Sequence, residues 1–205
     1  MPVEQVVAAF TTLFVIVDPI GLAPIFLSLT RGMDRPARRR IAVEAPLIAF
    51  VVLAGSALAG DWLLRQLGIG LPAFRIAGGL LLFAIAFEMV FELRGERRSN
   101  RESTSGGDHN LVAAVPLGVP LLAGPGAITA TILLAGKAAW QPLPLLVLLL
   151  VIGAVMGICL GVFLLASRIE RLMGPTGEAV LARLLGVILA ALAVQFVVDG
   201  IAAME

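Results

Sequence analysis

Residues 142–167 run from PLPLLVLLL to GVFLLAS without one charged side chain. About 20 apolar residues in a helix cross the roughly 30 Å hydrocarbon core of a bilayer, and a helix satisfies its own backbone there. The run therefore predicts a transmembrane helix. Five further segments predict the same, at 4–30, 40–60, 70–92, 110–135 and 179–201, making six spans. Short segments of alternating apolar and polar residues, the mark of a membrane barrel, are not found. The expected fold is all-α and polytopic. Composition agrees: of 205 residues, 60% are hydrophobic and 14% charged, against about 25% charged in soluble domains. MPVEQ places no basic residue ahead of the first apolar run, so that run predicts a retained span rather than a cleaved signal peptide.

Between the third and fourth spans lies RGERRSNRESTSGGDHN, residues 94–110. It has too little apolar surface to fold and reads as a flexible linker. It divides the chain into a three-span half, 1–93, and a second half, 111–205, the two together forming one transmembrane domain. With three spans per half, the second half must enter the membrane upside down. Weak internal similarity supports that plan: RIAG at 75–78 matches RLLG at 183–186, and DPIG at 18–21 matches GPGA at 124–127. Inverted repeats of this kind build many secondary transporters.

The basic residues sort by side. Arg31, Arg35, Arg38, Arg39, Arg40, Arg94, Arg97, Arg98, Arg101, Arg168, Arg171 and Arg183 follow odd-numbered spans, whereas the opposite side holds only Arg65, Arg75 and Lys137. The positive-inside rule makes the first set cytoplasmic. Both termini then lie outside the cytoplasm, and the plasma (inner) membrane of a prokaryote is the expected location.

Two spans carry residues that a simple membrane helix avoids. In the first, Asp18, Pro19, Gly21 and Pro24 interrupt an apolar run. Asp18 falls near mid-membrane, where a carboxylate costs at least about 2.5 kcal/mol. Proline removes a helical donor, and Gly21 is expected to adopt backbone angles closed to other residues. The fourth span repeats the pattern without the charge, through Pro116, Gly118, Pro120, Gly124, Pro125 and Gly126. Both helices are expected to break, and the freed backbone groups need protein or water as partners. Matched broken helices point to a transport site, and amides near Ala127 suit an anionic group such as a carboxylate. Structural kinking, or a capping role for Asp18, is the bland alternative. Re-entrant hairpins are the structural alternative to broken spans.

Other candidates are weaker. Glu88, one turn before Glu92, is a candidate coupling carboxylate or an interfacial residue. Gln195, one turn before Asp199, lines a cavity or bonds between helices. Thr129 and Thr131 either line the site or bond their own helix. Glu44 is expected to pair with a nearby arginine, Arg75 and Arg183 to anchor at the interface, and His109 to be solvated. Gly153, Gly157 and Gly161 form a Gly-x-x-x-Gly series for internal packing or a homo-oligomer face.

The stretches TLFVIVDPIGLAPIFLSLT (12–30), FRIAGGLLLFAIAFEM (74–89), AAVPLGVPLLAGPGAIT (113–129) and LARLLGVILAALAVQFVVDGI (181–201) resemble the MarC family of integral membrane proteins. That family includes transporters of small neutral amino acids and is grouped with the lysine-exporter superfamily. The resemblance implies six spans and transport of an amino acid or similar small metabolite. One cysteine excludes thiol-pair redox chemistry, and the single His lies in the linker, so an enzyme is not expected. No metal or organic cofactor is expected. Asp18 can take a proton and unwound carbonyls can hold Na⁺, so H⁺ and Na⁺ both stand as coupling ions. The expected partners are the lipid bilayer and a small-molecule substrate, not nucleic acid. A structural or regulatory membrane protein is the runner-up.

Overall fold

A computed structural model describes residues 3–30, 32–91, 122–137 and 141–204. The described residues are helical apart from turns and short connections. In chain order the helices are α1 (Val3–Val17), α2 (Ala23–Leu29), α3 (Arg35–Gln66), α4 (Leu71–Val90), α5 (Pro125–Lys137) and α6 (Pro142–Ala202). The linker at 94–110, with His109, and the early part of the fourth span, with Pro116, Gly118 and Pro120, lie outside the described residues.

Among the described residues, four stretches are long and apolar enough to cross a membrane: Arg35–Gln66, Leu71–Val90, Pro142–Arg168 and Ala179–Ala202. The last two are the arms of α6. They meet around Gly174, whose φ of 62° and ψ of 175° are not helical. Only glycine adopts a positive φ there without steric cost.

α3 shows how such a helix sorts its residues. Its first turn is polar and is capped by Asp34, whose carboxylate accepts the Ala37 amide at 3.0 Å. This cap starts the helix at Arg35, ahead of the apolar run expected at 40–60. One face buries Ala42, Ala45, Ala49, Leu53, Ala57 and Gly60. The opposite face exposes Val43, Leu47, Val51, Leu58 and Trp62. Small side chains thus face protein and large apolar ones face outward. Water does not favour that sorting, but lipid does, because close backbone approach drives helix association there. Glu44 bonds Arg40 at 2.6 Å, the arginine pairing expected of it.

α4 runs antiparallel to the second arm of α6, and glycines set the contact. A Cβ on Gly79 would stand 2.7 Å from the Ala193 carbonyl oxygen and 2.7 Å from a Val197 methyl. A Cβ on Gly186 would stand 3.2 Å from the Ala86 carbonyl oxygen and 2.9 Å from a Val90 methyl. The two sets are the same contact with the helices exchanged: 79 pairs with 186, 86 with 193 and 90 with 197, each 107 positions apart.

α4 also runs antiparallel to α5. Leu71 lies against Gly136, Gly78 against Thr129, and Leu82 with Ile85 against Gly126. Gly60 of α3 packs on Ile132 of α5. α2 meets the first arm of α6 through Phe26 and Phe163, stacked with centroids 4.6 Å apart and planes 6° off parallel.

Candidate functional site

The first apolar run breaks at Asp18. The last regular helical bond of α1 runs from the Asp18 amide to the Phe14 carbonyl, 2.9 Å. Pro19 then has no N–H to offer the Val15 carbonyl. Asp18 has a φ of 50°, and among the described residues no other non-glycine is in the left-handed region. Asp and Asn tolerate that conformation better than other side chains. The chain recovers through a tight turn. The Gly21 amide donates to Asp18 Oδ1 at 3.1 Å, and the Leu22 amide donates to the Asp18 carbonyl at 3.1 Å. One buried residue, 3% exposed, thus holds both sides of the break.

Two details differ from the sequence reading. The unusual backbone angle falls on Asp18, not Gly21. Gly21 is glycine for space: any Cβ there would collide with the Asp18 carboxylate. Pro24 does not break the helix either. It occupies the first turn of α2, where a missing N–H costs nothing because that donor has no helical partner.

The second interruption is built in another way. Gly124 is not helical, and its carbonyl accepts the Ile128 amide at 3.0 Å. Pro125, exposed, is the first residue of α5, a position suited to proline. Gly126 is buried by helix packing: a Cβ would stand 2.7 Å from Leu82, 3.1 Å from Ile85 and 3.6 Å from Ile16. Its Cα therefore faces neighbouring helices rather than open space. Ile16 lies two residues before Asp18, so the two interruptions are neighbours.

Thr129 is buried and its hydroxyl donates to the Pro125 carbonyl at 2.8 Å. Of its two open roles it fills the local one, while its methyl occupies the notch left by Gly78. Thr131 is fully buried, and its hydroxyl has no hydrogen-bond partner among the described residues. Cys159, buried on the first arm of α6, lies within Coulombic range of Asp18. That proximity joins positions 141 residues apart and is not readable from local sequence.

Glu88 is half-buried on α4. Gln195 is exposed, and its amide donates to Asp199 Oδ1 at 2.6 Å. Arg75 reaches across from α4 to the Asp199 carbonyl at 3.4 Å. Gln195 thus bonds within its own helix, and Arg75 ties α4 to α6. Among the described residues, no group of three His, Cys, Asp or Glu could hold a metal ion.

Comparison with known proteins covers nearly the whole chain. It is 35% identical over 201 residues to a UPF0056 membrane protein of Methanocaldococcus jannaschii, covering 98% of each. A UPF0056 membrane protein of Archaeoglobus fulgidus is 39% identical over 197 residues, covering 95% of this chain and 91% of the relative. The UPF0056 membrane protein YhcE of Escherichia coli is 35% identical over 194 residues, covering 94% and 89%. No solved structure matches the chain. The family model for MarC family integral membrane proteins matches residues 3–204, and the chain is a multi-pass integral membrane protein that belongs to the MarC family.

Proposed function

We propose that the chain is a secondary transporter of small neutral amino acids or similar small metabolites. In this reading it has six spans in two inverted halves, both termini outside the cytoplasm, and a location in the plasma membrane. α1 with α2 forms the broken first span, and α5 completes the fourth. The substrate site lies where the interruptions meet, around Asp18, Pro19, Gly21, Gly124 and Pro125.

The observation that carries the reading is Asp18. A carboxylate 3% exposed, in a left-handed conformation, between two apolar helices, is costly both as a buried polar group and as a strained backbone. Strain and buried charge gather at functional sites, and broken helices mark transport sites. The exchanged contact of Gly79 and Gly186 supports the inverted-repeat part, since a two-fold relation between halves requires such pairs. The substrate class rests on the family resemblance.

A structural role is the second reading, and the bond from the Gly21 amide to Asp18 favours it. The deciding experiment is uptake and counterflow in proteoliposomes with a panel of labelled amino acids. Saturable counterflow lost in Asp18→Asn, with folded protein retained, supports transport. No flux of any panel member in protein that folds normally removes it.

A further inference from the structure

We propose that the N-terminal end of α3 is a docking site for an anionic phospholipid, with the phosphate on Arg35 and Arg39 and an acyl chain along the apolar ridge that continues from them. Residues 31–44 hold five arginines and only two acids, Asp34 and Glu44. Both acids are engaged. Asp34 accepts the Ala37 amide at 3.0 Å, and Glu44 pairs with Arg40 at 2.6 Å. Arg35 and Arg39 are exposed, and neither has a hydrogen-bond or ion-pair partner among the described residues. Arg38 is held by the fold: it donates from Nη2 to the Thr30 carbonyl at 3.3 Å, and its buried Nε has no partner. At the other end of α3 the charge is matched, since Arg65 meets Asp61 at 2.8 Å. Unmatched positive charge thus collects at one end of the helix. That end is also the positive end of the helix dipole, where anions are favoured and cations are not.

Arg35, Arg39, Val43, Leu47 and Val51 follow one another in four-residue steps, which makes them one ridge on the helix surface. All five are exposed. The chain is an integral membrane protein, so the apolar part of this ridge meets acyl chains. Side chains on a helix lean toward its N-terminus, so both guanidinium groups reach away from the apolar residues, toward the interface where long basic side chains settle. From Arg39 to Val51 the helix rises about 18 Å, enough to line one leaflet of a roughly 30 Å core. A guanidinium binds phosphate through two parallel N–H donors. The ridge thus presents charge and apolar surface in the order of a phospholipid. A zwitterionic lipid brings its own cation to a place that already has unmatched positive charge. A soluble anion leaves the apolar part of the ridge unused. An anionic lipid answers both, whether or not the chain transports anything.

The experiment measures thermal unfolding of the purified full chain in a neutral detergent, with added phosphatidylglycerol, phosphatidylcholine or glycerol 3-phosphate. The expected result is a saturable rise in Tm with phosphatidylglycerol over phosphatidylcholine, since a ligand that binds only the folded state stabilises it. Added salt should shrink that rise. Arg35→Gln combined with Arg39→Gln should weaken the apparent affinity for phosphatidylglycerol roughly 25-fold, at about fivefold for each arginine near an anionic headgroup. Arg65→Gln, at the other end of α3, should leave the affinity unchanged. Equal Tm values in the two lipids overturn the site, as does a phosphatidylglycerol-specific rise that survives the double variant, or an equal loss in Arg65→Gln. An equal rise with glycerol 3-phosphate also overturns it, in favour of a soluble anion. If the double variant fails to fold, Val43→Trp decides, in a chain that keeps every arginine and carries Trp62→Phe and Trp140→Phe. Quenching of that tryptophan by brominated acyl chains, stronger from phosphatidylglycerol than from phosphatidylcholine, supports the site, and equal quenching overturns it.

Discussion

Gly79 and Gly186 make the same contact from opposite sides of one helix pair. Gly79 on α4 presses on the Ala193 carbonyl and Val197, and Gly186 on α6 presses on the Ala86 carbonyl and Val90. The relation is close but not equal. The nearest backbone oxygen is 2.7 Å from a Cβ at Gly79 and 3.2 Å from one at Gly186. Backbone cannot yield as a flexible side chain can. Gly79→Ala should therefore cost about 1–3 kcal/mol through overpacking, and Gly186→Ala clearly less. Thermal unfolding of the two variants in one detergent checks the order. Equal losses would mean that the pair is held apart by something other than these contacts.

The carboxylate of Asp18 does two local things, and substitutions can part them. Asn tolerates the left-handed backbone and keeps an acceptor for the Gly21 amide, so Asp18→Asn should leave the folded yield near native. Asp18→Ala loses the acceptor, worth about 1 kcal/mol by analogy with helix caps. It also sets a less tolerant residue in the left-handed region, worth about 1–2 kcal/mol more. Monodispersity and unfolding temperature measured side by side test this ranking. Asn as damaging as Ala would mean that the negative charge itself holds the fold.

Gly21 and Asp18 should be coupled. Gly21→Ala brings a Cβ into the Asp18 carboxylate, so it should destabilise native protein. In an Asp18→Gly background the carboxylate is gone and the added methyl has room. A double-mutant cycle should then show a coupling of about 0.5–3 kcal/mol, the range for residues in contact. Strict additivity would place the cost of Gly21→Ala elsewhere in the turn.

The position of this break was legible because an Asp, two prolines and a glycine contradict the apolar run around them, and local rules of this sort fail mainly at special sites. Its internal construction was not. Asp18 rather than Gly21 takes the unusual angle where the Asp18 carboxylate folds back over the turn to the Gly21 amide, and no local sequence rule states that choice. The arms of α6 were legible to within a residue or two from their apolar length alone. α3 was not, since it extends to Arg35 and Gln66, and hydropathy is blind to the cap at Asp34. The internal similarity of RIAG and RLLG aligns Gly78 with Gly186. The contacts align Gly79 with Gly186 instead. Composition cannot tell two adjacent glycines apart, and only packing across the helix pair does so.

Glycines of α5 and α6 should answer differently to the same change. Gly126→Val meets Leu82, Ile85 and Ile16 and should lower the amount of folded protein. Gly157→Val and Gly161→Val meet nothing within 4 Å among the described residues and should fold normally. Size-exclusion profiles of the three variants check this. Loss of folded protein at Gly157 or Gly161 would reveal a neighbour beyond the described residues, whereas full tolerance at Gly126 would separate α5 from α4 and α1.

Topology decides between broken spans and re-entrant hairpins. With six spans, the twelve-to-three sorting of basic residues puts Arg35–Arg40 and Arg168 on the cytoplasmic side and both termini outside. If α1 with α2 and the segment ending in α5 each turned back within the membrane, only α3, α4 and the two arms of α6 would cross. The arginines around 35–40 could stay cytoplasmic in that arrangement, but Arg168 would move outside and Glu205 would move inside. A fluorescent reporter active only in the cytoplasm, fused after Glu205, should therefore be dark. A cysteine placed at exposed Arg168 should resist an impermeant thiol reagent added to intact cells, with Cys159 replaced by Ala. A bright fusion together with a labelled residue 168 would establish the four-span arrangement and move Arg168, Arg171 and Arg183 outside, leaving nine of the twelve arginines cytoplasmic. Darkness with protection would show that each broken segment crosses the bilayer, which the transport reading requires.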